Sequence, residues 1–230
     1  MFGAALPLAQ HYADLLAGPG VVRGLIGPRE VPRLWPRHLL NCAALAPVID
    51  QVTDAARAAA QVGAGGPDSP VTVIDLGSGA GLPGVVLALL RPTWRVVLLE
   101  PLERRTTFLL ELVEELGLTQ VQVVRGRAED RDVIQQVHAL GRVDVVTARA
   151  VAPLERLVRW ALPLLTRGGS LLALKGETAR DELAEASPTL QRMGQEQKGT
   201  PGAAVAQSTV WELPGSRSRV VQVRIEGMTP

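Results

Sequence analysis

The stretch "VTVIDLGSGAGLPGVVLALL", Val71 to Leu90, decides the fold of this chain. A β-branched run precedes four glycines and an apolar run follows them, which predicts a strand, a tight turn and a helix. Such glycines let a backbone approach a ligand and leave its N–H groups free to bind. Two nucleotide-site patterns overlap in the turn: G-x-G-x-x-G from Gly79 to Gly84, and the opening "DLGSG" from Asp75.

Length and composition predict one substantial core with room for a small accessory piece. The chain has 230 residues, of which 47% are apolar, and a formal net charge of +1. The single cysteine, Cys42, excludes an intrachain disulfide and a zinc site built on cysteines, and we expect no metal centre. Because the net charge is small, any RNA-binding surface must be a local patch.

The sequence also predicts where the protein works. Its apolar runs are far shorter than the about 20 residues that span a bilayer. The opening segment "MFGAALPLAQHYADLLAG" lacks a basic region and carries His11 and Asp14, so it predicts a cytosolic helix rather than a signal peptide. We therefore expect a cytoplasmic protein that does not associate with membranes.

After residue 70, short apolar runs alternate with helical stretches, as is typical of a parallel sheet buried on both faces. The predicted strands are Val71–Leu76, Arg95–Glu100, Val121–Arg125, Val143–Ala148 and Ser170–Lys175. The predicted helices are Pro83–Leu90, Glu103–Leu116, Asp130–Leu140, Leu154–Thr166 and Thr178–Met193. Two more strands around Pro214-Gly215-Ser216 predict a hairpin that adds an antiparallel edge. The expected fold is an open, doubly wound α/β sheet.

The N-terminal part has a different pattern. Residues 1–66 predict a helical extension, in which prolines interrupt the stretch Pro19–Pro36 and a later helical segment breaks near Pro47. The best linker candidate is "GAGGPDSP" at residues 63–70. Residues 67–230 then form the sheet, and we expect both parts to make one compact domain.

Polar residues end or follow each of the predicted parallel strands, at the edge where such sheets bind ligands. They are Asp75–Gly81, Glu100, Ala128-Glu129, Arg149 and Lys175-Gly176. Each group alone fits a solvated turn residue, but their common edge favours a binding site. Glu100 is suited to accept hydrogen bonds from both hydroxyls of a ribose, and Glu129, with the Ala128 backbone, is suited to an adenine edge.

Asp75 favours S-adenosylmethionine (SAM) over a nicotinamide dinucleotide as the ligand. A carboxylate two residues before Gly77 attracts the ammonium of a methionine group and repels a pyrophosphate. A dinucleotide register would also start at Gly79 and leave a four-residue lead from Asp75, which that fingerprint does not usually have. We therefore assign Asp75, Ser78 and Gly79 to SAM, and the dinucleotide match is incidental.

The motifs, in this order and spacing, resemble the RsmG/GidB family of bacterial methyltransferases. They are "RHLLNCAAL", "DLGSGAGLPGVVLAL", "EPLERRTTFL", "GRAED", "ARAVAPL" and "LLALKG", and the similarity runs from about Tyr12 to the final strand. The resemblance implies a seven-stranded class I SAM-dependent (Rossmann-like) fold and methylation of guanine N7 in the decoding-region loop of 16S ribosomal RNA. It also implies SAM contacts at Gly77, Leu82, Glu100, Pro101, Leu102, Ala128, Glu129 and Arg149.

Guanine N7 carries no proton, so this reaction needs no general base. In-line displacement at the sulfonium methyl group would release S-adenosylhomocysteine (SAH), and catalysis would come mainly from alignment. We expect Arg149, Lys175 and His38 to position the reactants. The candidate RNA contacts are Arg37, His38, Arg104, Arg105 and Lys175, with the small ribosomal subunit as partner and a monomeric enzyme.

Several alternatives remain open from the sequence. In the first alternative, the methyl acceptor is another RNA position or a small molecule. In the second, the protein is a NAD-dependent oxidoreductase. In the third, the protein binds SAM without catalysis. His38 fits a structural role or an RNA contact. Trp35, beside Arg33 and Arg37, fits core packing better than a stacking platform for a base, and Cys42 fits a small core residue.

Overall fold

The computed structural model of the chain describes residues 1–59, 69–166, 168–196, 205–213 and 218–226. Strands in these ranges form a seven-stranded sheet in the order β3-β2-β1-β4-β5-β7-β6. They are β1 Thr72–Leu76, β2 Arg95–Glu100, β3 Val121–Arg125, β4 Val145–Arg149, β5 Ser170–Lys175, β6 Val205–Glu212 and β7 Arg219–Glu226. β1 to β5 run parallel, and β7 is antiparallel to both β5 and β6.

Helices cover both faces of the sheet, as the near-continuous apolar strands require. One face packs against α4 Gly84–Leu90 and α5 Glu103–Glu115. The other face packs against α6 Arg131–Ala139, α7 Leu154–Ala161 and α8 Ala179–Glu196. Because β2 and β3 lie on one side of β1 and β4 lies on the other, the strand order reverses between β1 and β4. A doubly wound sheet binds its ligand at that position.

The N-terminal segment joins the core on the α4 face. It contains α1 Leu6–Leu15, α2 Leu40–Ala43 and α3 Ala46–Ala59. Fully buried side chains of this segment share one apolar cluster with β1, β2 and α4, namely Tyr12, Leu16, Leu39, Leu45 and Ile49. The N-terminal helices therefore cover the sheet beside the switch position.

Between α1 and α2 the chain forms short non-α turns, because prolines recur there and remove backbone donors. A π-helical turn, Leu16–Gly20, is followed by a 3₁₀ turn, Pro28–Arg33, and a second π-helical turn, Leu34–Leu39. The last two turns carry Glu30 and His38 toward the end of β4.

The predicted doubly wound, seven-stranded class I fold is confirmed, and β2, β3 and β5 have the predicted bounds. Asp75 lies inside β1, within the predicted strand Val71–Leu76. Two placements were wrong by a few residues. The strand predicted over Val143–Ala148 runs over Val145–Arg149, so Arg149 ends β4 instead of following it. The helix predicted over Leu154–Thr166 ends at Ala161, where a 3₁₀ turn containing Pro163 begins.

Some predictions fall outside the described residues. They are the division between residues 66 and 67, most of the linker at 63–70, and the turn at Pro214-Gly215-Ser216. Within the described part of the chain, no helix combines the length and apolar character needed to cross a membrane.

Candidate functional site

The glycine turn after β1 is held by Asp75. The backbone N–H of Gly84, at the start of α4, donates a hydrogen bond of 2.9 Å to Asp75 Oδ2. A Cβ on Gly84 would lie 2.3 Å from Leu98 Cδ2 and 2.8 Å from Asp75 Oδ2, so this position accepts only glycine without a shift of the core. The turn thus fixes the helix start against the end of the strand.

The other oxygen of Asp75, Oδ1, is buried and has no hydrogen-bond partner within the described residues. Burial raises the pKa of Asp75 to about 7, against the hydrogen bonds and the Arg149 charge, which lower it. An orphaned acceptor of this kind fits a cationic donor such as an ammonium group, because an unmet buried acceptor costs free energy.

A hydrogen bond between Gly79 and Glu100 also holds the turn in place. Gly79 has a φ of +58°, and a Cβ there would meet only the Gly77 carbonyl oxygen, at 3.9 Å, so the backbone is open at this point. Its N–H donates to Glu100 Oε2 at 2.9 Å, and the Leu102 N–H donates to Oε1 at 3.1 Å. Glu100 is buried, yet each of its oxygens keeps a second lone pair for a ligand hydroxyl.

The remaining predicted SAM residues line the same carboxyl edge of the sheet. Ser78 is buried and donates from its hydroxyl to the Asp75 carbonyl oxygen at 2.8 Å. Ala128, after β3, is buried, whereas Glu129 is exposed. The other three differ in exposure: Leu82 is half-buried, and Pro101 and Leu102 are exposed.

Arg149 ends β4 on the sheet face that carries Asp75, two residues after Thr147, which pairs with Asp75 in the β1–β4 register. One guanidinium nitrogen, Nη2, contacts His38 Nδ1 at 2.5 Å, and the other, Nη1, donates to Cys42 Sγ at 3.5 Å. His38 Nε2 lies 2.8 Å from Glu30 Oε2. Burial lowers the pKa of His38, although its hydrogen bond to Glu30 opposes this shift.

Tyr12 and Cys42 complete the buried polar surroundings of Asp75. The Tyr12 hydroxyl donates to the Ala80 carbonyl oxygen at 2.9 Å, which ties α1 to the glycine turn. Burial raises the pKa of Tyr12 well above its usual value and that of the Cys42 thiol to about 11. Both groups are therefore protonated at neutral pH.

The predicted RNA contacts differ in exposure and in the partners that they already have. Arg104 is exposed, whereas Arg105 is half-buried with its Nη1 at 3.7 Å from Glu100 Oε2. Arg37 is exposed and lies 3.1 Å from Glu30. Lys175 Nζ donates to the Ala152 carbonyl oxygen at 2.9 Å and lies 2.7 Å from Glu182, so an RNA phosphate would have to replace that carboxylate.

Trp35 and Cys42 lie where the packing interpretation places them. Trp35 is half-buried against the core, with its ring 5.6 Å from the Phe2 ring in an edge-to-face arrangement. Cys42 is fully buried.

Sequence reasoning missed Tyr12 and Glu30 as members of this site. Tyr12 acts on the turn across 68 residues of sequence, so no local pattern could show it. Glu30 had one available signal: it is an acidic residue among Arg29, Arg33 and Arg37.

Comparison with known proteins gives consistent matches. The family GidB, described as rRNA small subunit methyltransferase G, matches residues 5–210. The ribosomal RNA small subunit methyltransferase G of Thermobifida fusca is 59% identical over 84% of this chain and 71% of its own length. The protein of the same name from Streptomyces coelicolor is 50% identical over 94% of this chain and 84% of its own length.

Among solved structures, Methanococcus jannaschii fibrillarin, a pre-rRNA processing protein, matches with a TM-score of 0.49 and 18% identity over 70% of this chain and 68% of that one. The family match spans most of the described fold, including the glycine turn, the strand ends and Arg149. The chain therefore belongs to the GidB family of small-subunit ribosomal RNA methyltransferases.

Proposed function

We propose that this protein transfers a methyl group from SAM to N7 of one guanine in the decoding-region loop of 16S ribosomal RNA. The chain is a methyltransferase of class I fold, and SAM is its cofactor. The family name places the acceptor in the RNA of the small subunit. The more specific assignment, to guanine N7 and to the decoding region, rests on the site chemistry together with the family resemblance.

The observation that carries the choice of N7 is that His38, Tyr12 and Cys42 are engaged or protonated, while the unpartnered Asp75 oxygen is assigned to the SAM ammonium. Both ring nitrogens of His38 have partners, Arg149 and Glu30. Tyr12 and Cys42 keep their protons at neutral pH because burial raises their pKa values. A hydroxyl or amine acceptor would need a base to remove a proton, whereas guanine N7 needs none.

Different residues of the site would bind different parts of the SAM molecule. Asp75 Oδ1 would accept from the ammonium of the amino-acid group, and the Arg149 guanidinium would bind its carboxylate. Gly77, Ser78 and Gly79 bring the backbone to the methionine part, and Glu100 would accept from the ribose hydroxyls. Ala128 and Glu129 would flank the adenine, with the apolar side chains Leu82, Pro101 and Leu102.

When bound, SAM supplies the methyl group as a good electrophile at its sulfonium. The chain contributes alignment: it must hold the guanine so that N7 lies in line with the methyl group at near-attack distance. The base must also be unstacked to reach the pocket. Arg149, positioned by His38, and Lys175, at the ends of the neighbouring strands β4 and β5, flank that approach.

The RNA would approach the pocket along Arg37, Arg104 and Arg105. His38 and Lys175, which are less exposed, would lie between these arginines and the SAM site. We propose that residues 1–66 form the covering extension and residues 67–230 the catalytic core of one compact unit. The enzyme would act as a monomer in the cytoplasm, on the small subunit or its precursor.

Two measurements test this function. A thermal-shift assay with SAH and NADH tests the cofactor: we expect SAH to raise the melting temperature and NADH to leave it unchanged, and stabilisation by NADH alone would overturn the assignment. Incubation with methyl-labelled SAM and small or large ribosomal subunits that lack methylation tests the acceptor. We expect label only in the RNA of the small subunit. Label in the RNA of the large subunit, or no label in either RNA, would refute the proposal.

A further inference from the structure

Three side chains from separate parts of the sequence form a chain of polar contacts that ends at the SAM edge. Glu30 lies in the 3₁₀ turn Pro28–Arg33, and its Oε2 is 2.8 Å from His38 Nε2. His38 lies in the π-helical turn Leu34–Leu39, and its Nδ1 is 2.5 Å from Arg149 Nη2. The N-terminal segment thus reaches Arg149 from above the sheet.

The chemistry of the three groups allows only one arrangement of protons. A guanidinium has donors and no acceptor, so His38 Nδ1 must accept from Arg149. The ring is then neutral, with its proton on Nε2, and that N–H donates to the Glu30 carboxylate. Burial and the Arg149 charge both lower the pKa of His38, in agreement with a neutral ring. The charged groups facing the ring are Glu30, Arg37 and Arg149.

Arg149 needs such a support because an arginine side chain has several rotatable bonds, and ordering it costs free energy. Within the described part of the chain, its other hydrogen bond goes to Cys42 Sγ at 3.5 Å, and a thiol sulfur is a weak acceptor. The His38 ring is therefore the strong acceptor that fixes the guanidinium. The ring is only 12% exposed, and both of its nitrogens are engaged, which leaves it poorly placed to contact RNA directly.

We propose that His38 and Glu30 are positioning residues that hold the Arg149 guanidinium in the orientation required at the SAM site. His38 supplies the acceptor, and Glu30, which can only accept, selects the ring tautomer that makes Nδ1 available. The inference rests on the proposed function, which places Arg149 at the SAM site. It replaces the expected RNA contact of His38 with an action through Arg149.

Two amide variants of His38 separate positioning from packing. His38→Asn places its carbonyl oxygen near the position of Nδ1, so it can still accept from Arg149. His38→Gln carries its amide one atom further, near the position of Nε2, and loses that contact. We expect SAH to bind His38→Asn within about threefold of the unchanged protein and to bind His38→Gln about tenfold more weakly. Titration calorimetry gives the dissociation constants, and the melting temperature reports folding.

A double-mutant cycle tests whether the effect runs through Arg149. In the Arg149→Ala background, we expect His38→Gln to cause no further loss in SAH affinity or in the rate of methyl transfer. His11→Gln is the matched control, because His11 also pairs with a glutamate, Glu115, but on the surface of α1 and α5. Glu30→Gln, whose amide can also donate to Nε2, provides a second variant if a His38 variant does not fold; we expect a threefold to tenfold loss.

Equal losses in His38→Asn and His38→Gln, or a full loss from His38→Gln in the Arg149→Ala background, would overturn the inference. The proposed function can fail separately. If the unchanged protein puts no label into 16S RNA while the SAH cycle shows coupling, the acceptor is wrong and the support for Arg149 stands. If Arg149→Ala itself leaves SAH affinity unchanged, the SAM contact of Arg149 is wrong, and the transfer rate then measures the coupling.

Discussion

Glu100 accepts a hydrogen bond of 2.9 Å from the backbone N–H of Gly79, so the end of β2 is tied directly to the glycine turn that follows β1. The same carboxylate accepts from the Leu102 N–H at 3.1 Å. The residue proposed to hold the ribose therefore also holds the two backbone segments that surround it. Under the proposed function, cofactor binding and the shape of the pocket would both depend on this buried side chain.

Glu100→Ala is expected to weaken SAH binding by about 2 kcal/mol, or about 30-fold, because it removes the ribose acceptor and leaves two backbone donors unmet. Titration calorimetry measures the change. The matched control is Glu103→Ala, since Glu103 is exposed at the start of α5 and pairs with Arg125. Equal SAH affinity in Glu100→Ala and the unchanged protein would show that Glu100 does not bind the cofactor.

The raised pKa of Asp75, about 7, predicts that SAH binding depends on pH. The ammonium of SAH favours the ionised carboxylate, so affinity should rise as pH rises through 7, by about tenfold between pH 6 and pH 8. Burial lowers the pKa of His38, which favours its neutral ring over this range. A constant affinity over this range would contradict the role of Asp75.

The raised pKa of Asp75 also predicts how Asp75→Asn changes the thermal stability of the protein at different pH values. Because the folded pKa lies above the unfolded value of 3.8, the folded state binds the extra proton, and the buried carboxylate destabilises the fold increasingly as pH rises from 4 to 7. The variant should therefore melt at a higher temperature than the unchanged protein at pH 8, and this advantage should shrink toward pH 5. Its SAH affinity should be low and independent of pH.

Arg104 and Arg105 are neighbours in sequence, but the structure predicts different effects for them. Arg104→Ala should weaken RNA binding, reduce its logarithmic salt slope by about 0.7 and leave SAH affinity unchanged. Arg105→Ala should weaken both, because Arg105 Nη1 lies 3.7 Å from Glu100. Filter binding at several salt concentrations measures the slope. Arg159→Ala, on the opposite face of the sheet and paired with Glu155, is the control.

If Arg104→Ala lowered SAH affinity as much as Arg105→Ala does, the separation of RNA and cofactor contacts along α5 would be wrong. If neither substitution changed the salt slope, the RNA would approach the pocket from another side.

The edge of the sheet could be predicted from sequence because it depends on local patterns. Apolar runs ending in Asp75, Glu100, Arg149 and Lys175 predict parallel strands, and the carboxyl ends of such strands meet. The N-terminal part of the site could not be predicted in this way. The contact between His38 and Arg149 joins residues 111 positions apart, and the turns that carry His38 are irregular, so neither helix nor strand periodicity shows which way its side chain points.

Packing requirements were also hidden in the sequence. Gly84 looked like the last glycine of a ligand turn, but its missing Cβ is needed because Leu98 and Asp75 occupy that space. Lys175 looked like a free cation at a strand end, whereas Glu182, from α8, pairs with it. The sequence shows the residue type, but the tertiary contacts of that residue determine whether its side chain or the space beside it is available to a ligand.

Glu182→Gln tests whether Lys175 engages RNA. If the Lys175 ammonium must leave Glu182 to bind an RNA phosphate, the substitution removes the competing carboxylate. RNA binding should therefore tighten by about threefold. Fluorescence anisotropy with a short 16S fragment measures it, and Glu155→Gln, which removes an exposed carboxylate paired with Arg159, is the control. Unchanged or weaker RNA binding would assign Lys175 to support of the Ala152 loop alone.

The most direct test of the proposed function maps the methyl group at nucleotide resolution. Small ribosomal subunits that lack the modification are incubated with the protein and SAM, and the 16S RNA is then cleaved chemically at 7-methylguanine. We predict one new cleavage site, at a guanine in the decoding-region loop, which disappears when Arg149→Ala replaces the unchanged protein. Methylation of 16S RNA without cleavage at 7-methylguanine, or cleavage outside the decoding region, would contradict the proposal.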